Sequence, residues 1–325
     1  MSALILLAAL ATSAPPVGTV ELQGAVLVRD VTFVEEIRCR GTEGRGSLRD
    51  LEVHVALPAS DVRQTIDDLR CEPTPNRIVV DTHGNRYAVF TRKWLDAGRT
   101  WRVGFTCRTR SRGIAHGIDR EAVGAEVPPG IRARYLRDGQ RYGMHDPTLR
   151  KAAAEIAKRA RGPVDHAFRI NEYLRLRLTY LNDGRWEPAP RVLRNGHGSC
   201  SEYTFAFIAL ARLGGLPARW VGASALRSNA NTYDDVLHHR WAEVWIAGHG
   251  WFPIDVSRND GEDGFPVNRA FGRTSARLLV LMRGDGGKRA PLGWQYVAST
   301  RSKSLGDGRM TRTKRFTWTR PARAN

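Results

Sequence analysis

The 325-residue sequence is poor in cysteine, lysine and long apolar runs, and each shortage narrows what it can do. Its four cysteines form no CxxC pair, which argues against zinc-ribbon and thioredoxin-like sites. Apart from a short apolar segment at the start, no stretch is long and apolar enough to predict a membrane span. Only six lysines are present, so arginine supplies nearly all of the +18 formal charge.

The basic excess leaves two interpretations open. It predicts either an ordinary solvated surface or a surface for an anionic partner, such as an acidic polymer or the cell envelope. The basic residues are scattered, except in a C-terminal tail at 301–323, where eight of them stand against Asp307. We expect no specific nucleic-acid partner, and the oligomeric state stays open.

The first residues, MSALILLAALATSAPP, predict a signal peptide over 1–16. A short apolar run ends in small residues, but no basic residue precedes it, so a buried N-terminal element is the alternative. The sequence thus predicts an exported protein, periplasmic or secreted. In an oxidising compartment two of Cys39, Cys71 and Cys107 are expected to bridge, with Cys39–Cys107 one option if their strands are neighbours.

Residues 17–127 read as short β-branched and aromatic strands separated by turns, which predicts a β-sandwich domain. One helix is predicted there, over 60–69. Residues 128–325 change character and predict a second domain of helices and strands, which ends in further strands and the basic tail. Helices are predicted over 146–159, 164–177 and 200–213, and strands over 219–222, 239–246, 251–256, 278–282 and 293–298.

Cys200 stands at the predicted start of an apolar helix, after Gly198. Unpaired amides and the helix dipole favour a thiolate at this position, and the amide of Cys200 would stabilise an oxyanion. Because the helix is apolar nearly all round, it should be buried and hold the thiol rigidly. A structural cysteine is the alternative.

His239 and Asp255 lie on two strands that read as a β-hairpin. With a three-residue loop at 247–249, residue 246 faces 250, and His239 and Asp255 share one face as diagonal neighbours. A two- or four-residue loop would separate them. A cysteine, a histidine and an aspartate brought together in this way form the nucleophile, base and orienting group of a thiol triad.

Three segments of the sequence resemble the transglutaminase-like superfamily: GSCSEYTFAFIALARLGGLPARWVGAS, HHRWAEVW and GWFPIDVS. The resemblance covers about residues 130–260. It implies an α+β, papain-like core with Cys200 as nucleophile, His239 as base and Asp255 as orienting residue. The preceding strands resemble the β-sandwich of bacterial members. The implied chemistry is acyl transfer or hydrolysis at peptide or protein amides through a thioester, with hydrolysis preferred over cross-linking.

The resemblance implies no cofactor, and no metal-ligand spacing is present around the site. Glu202, Trp241 and Glu243 match family positions and are expected to be structural. Tyr180 and Trp186 are candidates for a second oxyanion donor. The rival function is a non-catalytic transglutaminase-like protein that binds an acidic polymer or a protein partner.

Overall fold

The computed structural model describes residues 18–122, 126–259, 266–287 and 291–322, so the predicted signal peptide lies outside the described residues. The N-terminal third consists of strands. They are β1 Thr19–Arg40, β2 Ser47–Leu57, β3 Gln64–Glu72, β4 Arg77–Val80, β5 Arg86–Asp96 and β6 Thr100–Gly117.

The rest of the chain mixes helices and strands. Its helices are α1 Pro129–Tyr135, α2 Pro147–Lys158, α3 Pro163–Arg175, α4 Ala189–Asn195 and α5 Cys200–Leu213. Its strands are β7 Thr179–Tyr180, β8 His197–Gly198, β9 Ala218–Ala225, β10 Thr232–Asp234, β11 His239–Ile246, β12 Gly250–Ile254, β13 Arg273–Thr274, β14 Leu278–Gly284, β15 Ala298–Leu305 and β16 Arg309–Thr319. None of the helices in these described ranges is long and apolar enough to cross a membrane.

Two antiparallel sheets join the N-terminal strands to the C-terminal ones. One has the order β10-β16-β1-β6-β13, with β3 also on β6, and the other has the order β15-β2-β5-β4. Strand β16 pairs with β1 from Arg309 to Thr319, and β15 pairs with β2. The predicted basic tail is therefore mostly a strand pair inside these sheets. The division of the chain into domains stays a prediction.

Most charges of this strand pair already have partners. Arg301 bonds to Glu52 at 2.6 Å, and Lys303 bonds to Asp50 at 3.0 Å. Arg312 and Arg315 each lie 3.7 Å from an acidic side chain, Glu35 and Asp234. Exposed pairs contribute little to stability, but they leave less free positive charge for an anionic partner than the composition suggests.

The helices α2, α3 and α4 and a four-stranded sheet surround α5. This sheet has the antiparallel order β12-β11-β9-β14. Every residue of α5 from Cys200 to Arg212 is buried, which agrees with its mostly apolar sequence. The even-numbered residues of β11 from 242 to 246 are buried in the same core as α5. β11 packs on α5, and a hydrogen bond between His239 and Cys200 places the start of the strand near the start of the helix.

Three sequence expectations are wrong. The helix predicted over 60–69 is largely strand β3, because the Asp61 side chain accepts the N–H groups of Arg63 and Gln64 and turns the chain onto the edge of β6. The strand predicted over 293–298 begins only at Ala298. All four cysteines are free: β1 and β6 are neighbours, but the register places Cys107 opposite Val31 rather than Cys39.

Candidate active site

Cys200 is the first residue of α5, as predicted, and its residue surface is 8% exposed. Gly196 ends α4 in the left-handed region at φ 72°, which allows the chain to reverse toward β8. At Gly198 a β-carbon would lie 2.6 Å from the β-carbon of Glu202, so only glycine fits there without a shift. These two glycines let the chain approach the helix start closely.

Glu202 braces the turn that carries the nucleophile. One carboxylate oxygen accepts the backbone N–H of Ser199 at 2.7 Å, and the other accepts that of Glu187 at 3.2 Å. The first bond belongs to a capping box at the start of α5. Since Glu202 is 2% exposed, it connects the preceding loop to the helix from within the core.

His239 and Asp255 are brought together by the predicted hairpin. Ile246 faces Gly250 and Ala242 faces Ile254, which is the register expected for a three-residue loop. Asp255 follows the last residue of β12, and its Oδ2 lies 2.5 Å from Nε2 of His239. The Ser257 hydroxyl donates to Oδ1 of Asp255 at 2.9 Å, and Arg258 approaches Oδ2 at 3.7 Å. The carboxylate is therefore fixed from two sides.

The electrostatics favour a thiolate–imidazolium pair. Burial opposes ionisation of Cys200, but the hydrogen bond and charge of His239, together with smaller effects of the Arg240 backbone and charge, lower the pKa of Cys200. Burial likewise opposes protonation of His239, but the charge and hydrogen bond of Asp255 and the contact with Cys200 raise its pKa to about 9. Burial is the largest single effect on Asp255 and raises its pKa, but the charge and hydrogen bond of His239, with Arg258 and Ser257, together lower the pKa, so Asp255 is ionised.

Of the other residues that the sequence singles out, Tyr180 and Trp241 lie beside the Cys200–His239 pair, whereas Trp186 and Glu243 contact arginine side chains. Tyr180 pairs with Gly198 in the short β7–β8 ladder, and its hydroxyl lies near the backbone amide of Cys200. Trp186 instead packs its ring over the guanidinium of Arg240. Trp241 is buried beside His239, with ring centroids 6.1 Å apart. Glu243 forms an ion pair with Arg219 at 2.7 Å.

The neighbouring histidines have separate surroundings. His249 contacts His116 of β6, with 2.7 Å between Nε2 and Nδ1. His238 has a positive φ of 56° and its ring packs against Phe316. Among the described residues, no group of three histidine, cysteine, aspartate or glutamate side chains is arranged to hold a metal ion.

The sequence patterns do not predict that two further residues, Tyr296 and Arg240, lie near the thiol. Tyr296 is 8% exposed and is influenced by the charge of Cys200, although it lies far along the chain. Arg240 is fully buried directly after His239. A signal for Arg240 was available, since it occupies a core-facing position of a strand, where a charged side chain is unexpected.

Comparisons with known proteins agree with the fold. Residues 150–256 match the family model of the transglutaminase-like superfamily, and a search of curated protein sequences finds no match. The chain is similar to a provisionally assigned cysteine protease from Cytophaga hutchinsonii, with 14% identity, 91% of this chain and 100% of that chain covered, and a TM-score of 0.59. This similarity shows a shared fold.

Two further structures are more distant. The periplasmic domain of TgpA from Pseudomonas aeruginosa has 14% identity, with 70% of this chain and 88% of that chain covered and a TM-score of 0.39. Red sea bream transglutaminase has 11% identity, with 68% and 48% covered and a TM-score of 0.34. The predicted mixed α+β architecture and the family resemblance are confirmed; the predicted β-sandwich stays a prediction.

Proposed function

Since residues 150–256 belong to the transglutaminase-like superfamily, we propose that this protein is a cysteine enzyme acting at amide bonds of peptides or proteins. Cys200 is its nucleophile, His239 its general base and acid, and Asp255 the residue that orients and charges His239. The observation that carries the proposal is the 2.5 Å contact between buried His239 and Asp255, next to a thiol at the start of α5.

The geometry supports a two-step reaction. The Cys200 thiolate attacks the amide carbonyl carbon, and the carbonyl oxygen becomes an oxyanion near the Cys200 amide, which has no partner within the helix. The C–N bond then breaks, His239 protonates the departing amine, and an acyl thioester remains on Cys200. In the second step, water or an amine gives its proton to His239 and attacks the thioester, which releases the acyl group and the thiolate.

Hydrolysis is our preferred outcome of the second step. The structurally similar Cytophaga protein, provisionally assigned as a cysteine protease, supports this preference. The preference concerns only whether water or an amine resolves the thioester, because the first step is shared.

The surroundings of the site favour substrates with apolar side chains. Tyr180 and Leu181 are 41% and 44% exposed beside the turn of Cys200, and Val236 and Leu237 are 78% and 54% exposed just before His238. Arg227 donates to the carbonyl of His238 and its charge acts on Tyr180, so both groups lie near Arg227. Exposed apolar side chains around a reactive thiol are typical of a peptide-binding surface.

We also propose that the protein is exported and that an N-terminal β-sandwich precedes the catalytic part. The pairing of β15 and β16 with β2 and β1 leads us to assign these strands to the sandwich. We further propose an acidic polymer or the cell envelope as the partner of the basic surface.

The test of the proposed function is intact-mass analysis after exposure to thiol-directed peptide probes. Wild type should form a single adduct that disappears in Cys200→Ala. The matched control is Cys71→Ala, because the partly exposed Cys71 has a raised pKa through burial and should not react. No adduct on Cys200 with any probe or small alkylator would reject the enzyme and favour a binding protein.

The products distinguish the two outcomes of the second step. A peptide library incubated with the enzyme gives pairs of fragments whose summed mass exceeds the substrate by one water if the thioester is hydrolysed. Addition of an amine and loss of ammonia from a side-chain amide would instead establish cross-linking and overturn the preference for hydrolysis.

A further inference from the structure

The turn that follows Asp255 is hydrogen-bonded to helix α3. After Asp255 the chain makes one turn of 3-10 helix, Val256–Arg258, which ends at Asn259. Asn259 is 0% exposed, and its Nδ2 donates to Oδ1 of Asn171 at 2.8 Å. Asn171 lies in α3 and is also 0% exposed. Two buried amides that are 88 residues apart in the chain therefore join this turn to α3.

The two amides make further hydrogen bonds to the segment that packs against the turn. Oδ1 of Asn259 accepts the backbone N–H of Ala270 at 2.7 Å, and the Asn259 carbonyl accepts that of Asn268 at 3.1 Å. Nδ2 of Asn171 donates to Oδ1 of Asn268 at 2.7 Å. The carbonyl of Ala270 in turn accepts the backbone N–H of Asp255 at 3.3 Å. Asn259 thus holds the segment to which the backbone of Asp255 is bonded.

The hairpin alone leaves Asp255 without support on its C-terminal side. Strand β12 ends at Ile254, so the ladder with β11 stops one residue before the carboxylate. Beyond His239, the Asp255 carboxylate is approached by Ser257 and Arg258, which belong to the same turn. These two side chains move with the turn and cannot fix its position relative to His239. An anchor outside the turn has to do so.

The amide pair has the properties of such an anchor. A buried amide costs free energy unless its polar atoms are hydrogen-bonded, and hydrogen bonds of 2.7–2.8 Å fix direction as well as distance. Apolar packing of the turn on α3 would stabilise the contact without specifying its orientation. Helix α3 also packs on α5, which begins with Cys200. The pair therefore relates the position of Asp255 to the helices that carry the thiol.

We propose that Asn259, held by Asn171, is a positioning residue that keeps the Asp255 carboxylate on His239. It acts through the backbone of the turn and not through the substrate. This inference rests on the proposed function, because it presupposes that Asp255 charges His239 in a working triad. It adds to the triad a connection that runs through α3, outside the hairpin.

The charged groups around the turn are separable from the effect of the pair. Glu172 accepts from Nδ2 of Asn268 at 3.0 Å, and its hydrogen bond with Arg175 lowers its pKa. The groups that face Asp255, besides His239, are Arg258 at 3.7 Å, Arg269 and Arg273 in a shared cavity, and Tyr180, whose pKa burial raises. Arginines keep their protons in proteins, so these charges are constant from pH 5 to 9. A shift of the Cys200 profile in that range therefore reports on His239 and Asp255.

The test is the pH dependence of Cys200 alkylation by iodoacetamide, followed by intact mass from pH 4 to 10. In Asn259→Ala the carboxylate should be held less firmly on His239, which lowers the pKa of His239 and weakens its support of the thiolate. The alkylation midpoint should rise by about half to one pH unit, so that alkylation on the acid side falls about three- to tenfold.

The matched control is Asn85→Ala. Asn85 is 6% exposed, and it also joins distant segments, since its side-chain amide bonds to the carbonyl and N–H of Arg283 at 2.7 and 2.8 Å. It should lower the melting temperature and leave the alkylation midpoint unchanged. A midpoint shift in Asn85→Ala equal to that in Asn259→Ala would show a general effect of lost stability and overturn the inference.

A second variant removes the same hydrogen bond from the helix side, in case Asn259→Ala does not fold. Asn171→Ala leaves the sequence of the Asp255 turn intact and should raise the midpoint in the same direction. Because the two residues share one bond, the double variant should shift the midpoint by less than the sum of the single shifts. A wild-type profile in either folded single variant would overturn the inference. An unreactive Cys200 in wild type would instead reject the proposed function itself.

Discussion

The charge of Asp255 should set the acid limit of Cys200 reactivity. Burial alone would keep His239 neutral at acidic pH, and the adjacent carboxylate reverses this and raises the pKa of His239 to about 9. Asp255→Asn keeps the shape and removes the charge. His239 should then lose its proton at a much lower pH, and Cys200 should lose the imidazolium that lowers its own pKa.

The size of the effect follows from the geometry. An opposite charge in direct contact shifts a pKa by about 1–3 units, and the 2.5 Å contact is buried from solvent on both sides. The pair titrates as a unit, so the loss appears in the first macroscopic step, where the thiolate forms. We expect the alkylation midpoint of Cys200 to rise by about 1–2 pH units, which reduces the rate at pH 5 about ten- to a hundredfold.

The assay is iodoacetamide alkylation of Cys200, measured by intact mass across the pH range. The control is Asp165→Asn, because Asp165 is also fully buried and bonds to arginines, but lies in α3. It should reduce thermal stability without moving the alkylation midpoint. An Asp255→Asn profile that coincides with wild type would refute the reasoning that Asp255 controls the pair.

Three further outcomes are expected. Glu202→Ala removes the acceptor for the Ser199 and Glu187 amides, so it should lower the free energy of unfolding by about 1–2 kcal/mol and slow the alkylation of Cys200. Glu202→Gln should have a smaller effect on both quantities, and alkylation at the wild-type rate in both variants would contradict the bracing role of Glu202. Burial and His249 lower the pKa of His116 to about 4, so the free energy of unfolding should be highest above pH 6.5 and fall by up to about 3 kcal/mol toward pH 4. Chemical unfolding of His116→Phe should show less of this acid sensitivity, and an unchanged pH dependence would exclude His116 as its source. Strand β16 pairs with β1 and buries Trp318, so Trp318→Ala should lower the free energy of unfolding by about 3–5 kcal/mol, and truncation after residue 300 should prevent folding. A folded truncated protein would show that the tail is dispensable.

Sequence patterns predicted the local arrangement of the site well. The apolar text after Cys200 predicted a buried helix, and the hairpin register followed from one assumption about loop length, so the meeting of His239 and Asp255 could be foreseen. Helices α2 and α3 were found to within a few residues, because their apolar spacing and N-terminal prolines are local signals. The catalytic roles themselves stay a prediction.

The features that the sequence did not predict depend mostly on contacts between segments far apart in the chain. The pairing of β15 and β16 with β2 and β1 joins segments more than two hundred residues apart, and no local pattern encodes a partner at that distance. Strand β3 was mistaken for a helix because its sequence is polar and carries no clean alternation, and edge pairing with β6 decided its conformation. The aromatic environment of Arg240 could not be predicted either, because its five rings come from four separate parts of the chain. They are Trp186, Phe205, Trp220, Trp294 and Tyr296.

The proposed triad occupies the ends of regular elements, and this explains both its chemistry and its rigidity. Cys200 begins α5, His239 begins β11 and Asp255 follows β12, so each side chain lies at the end of a regular element. The bodies of α5 and β11 are buried in one core, which fixes the three ends relative to one another. A helix start supplies the amide and dipole that a thiolate needs, while a strand end next to a hairpin partner supplies the imidazole–carboxylate contact. Substitutions in the buried face of β11, such as Val244→Ala, should therefore reduce Cys200 reactivity together with stability, whereas substitutions in the exposed parts of β3 should affect neither.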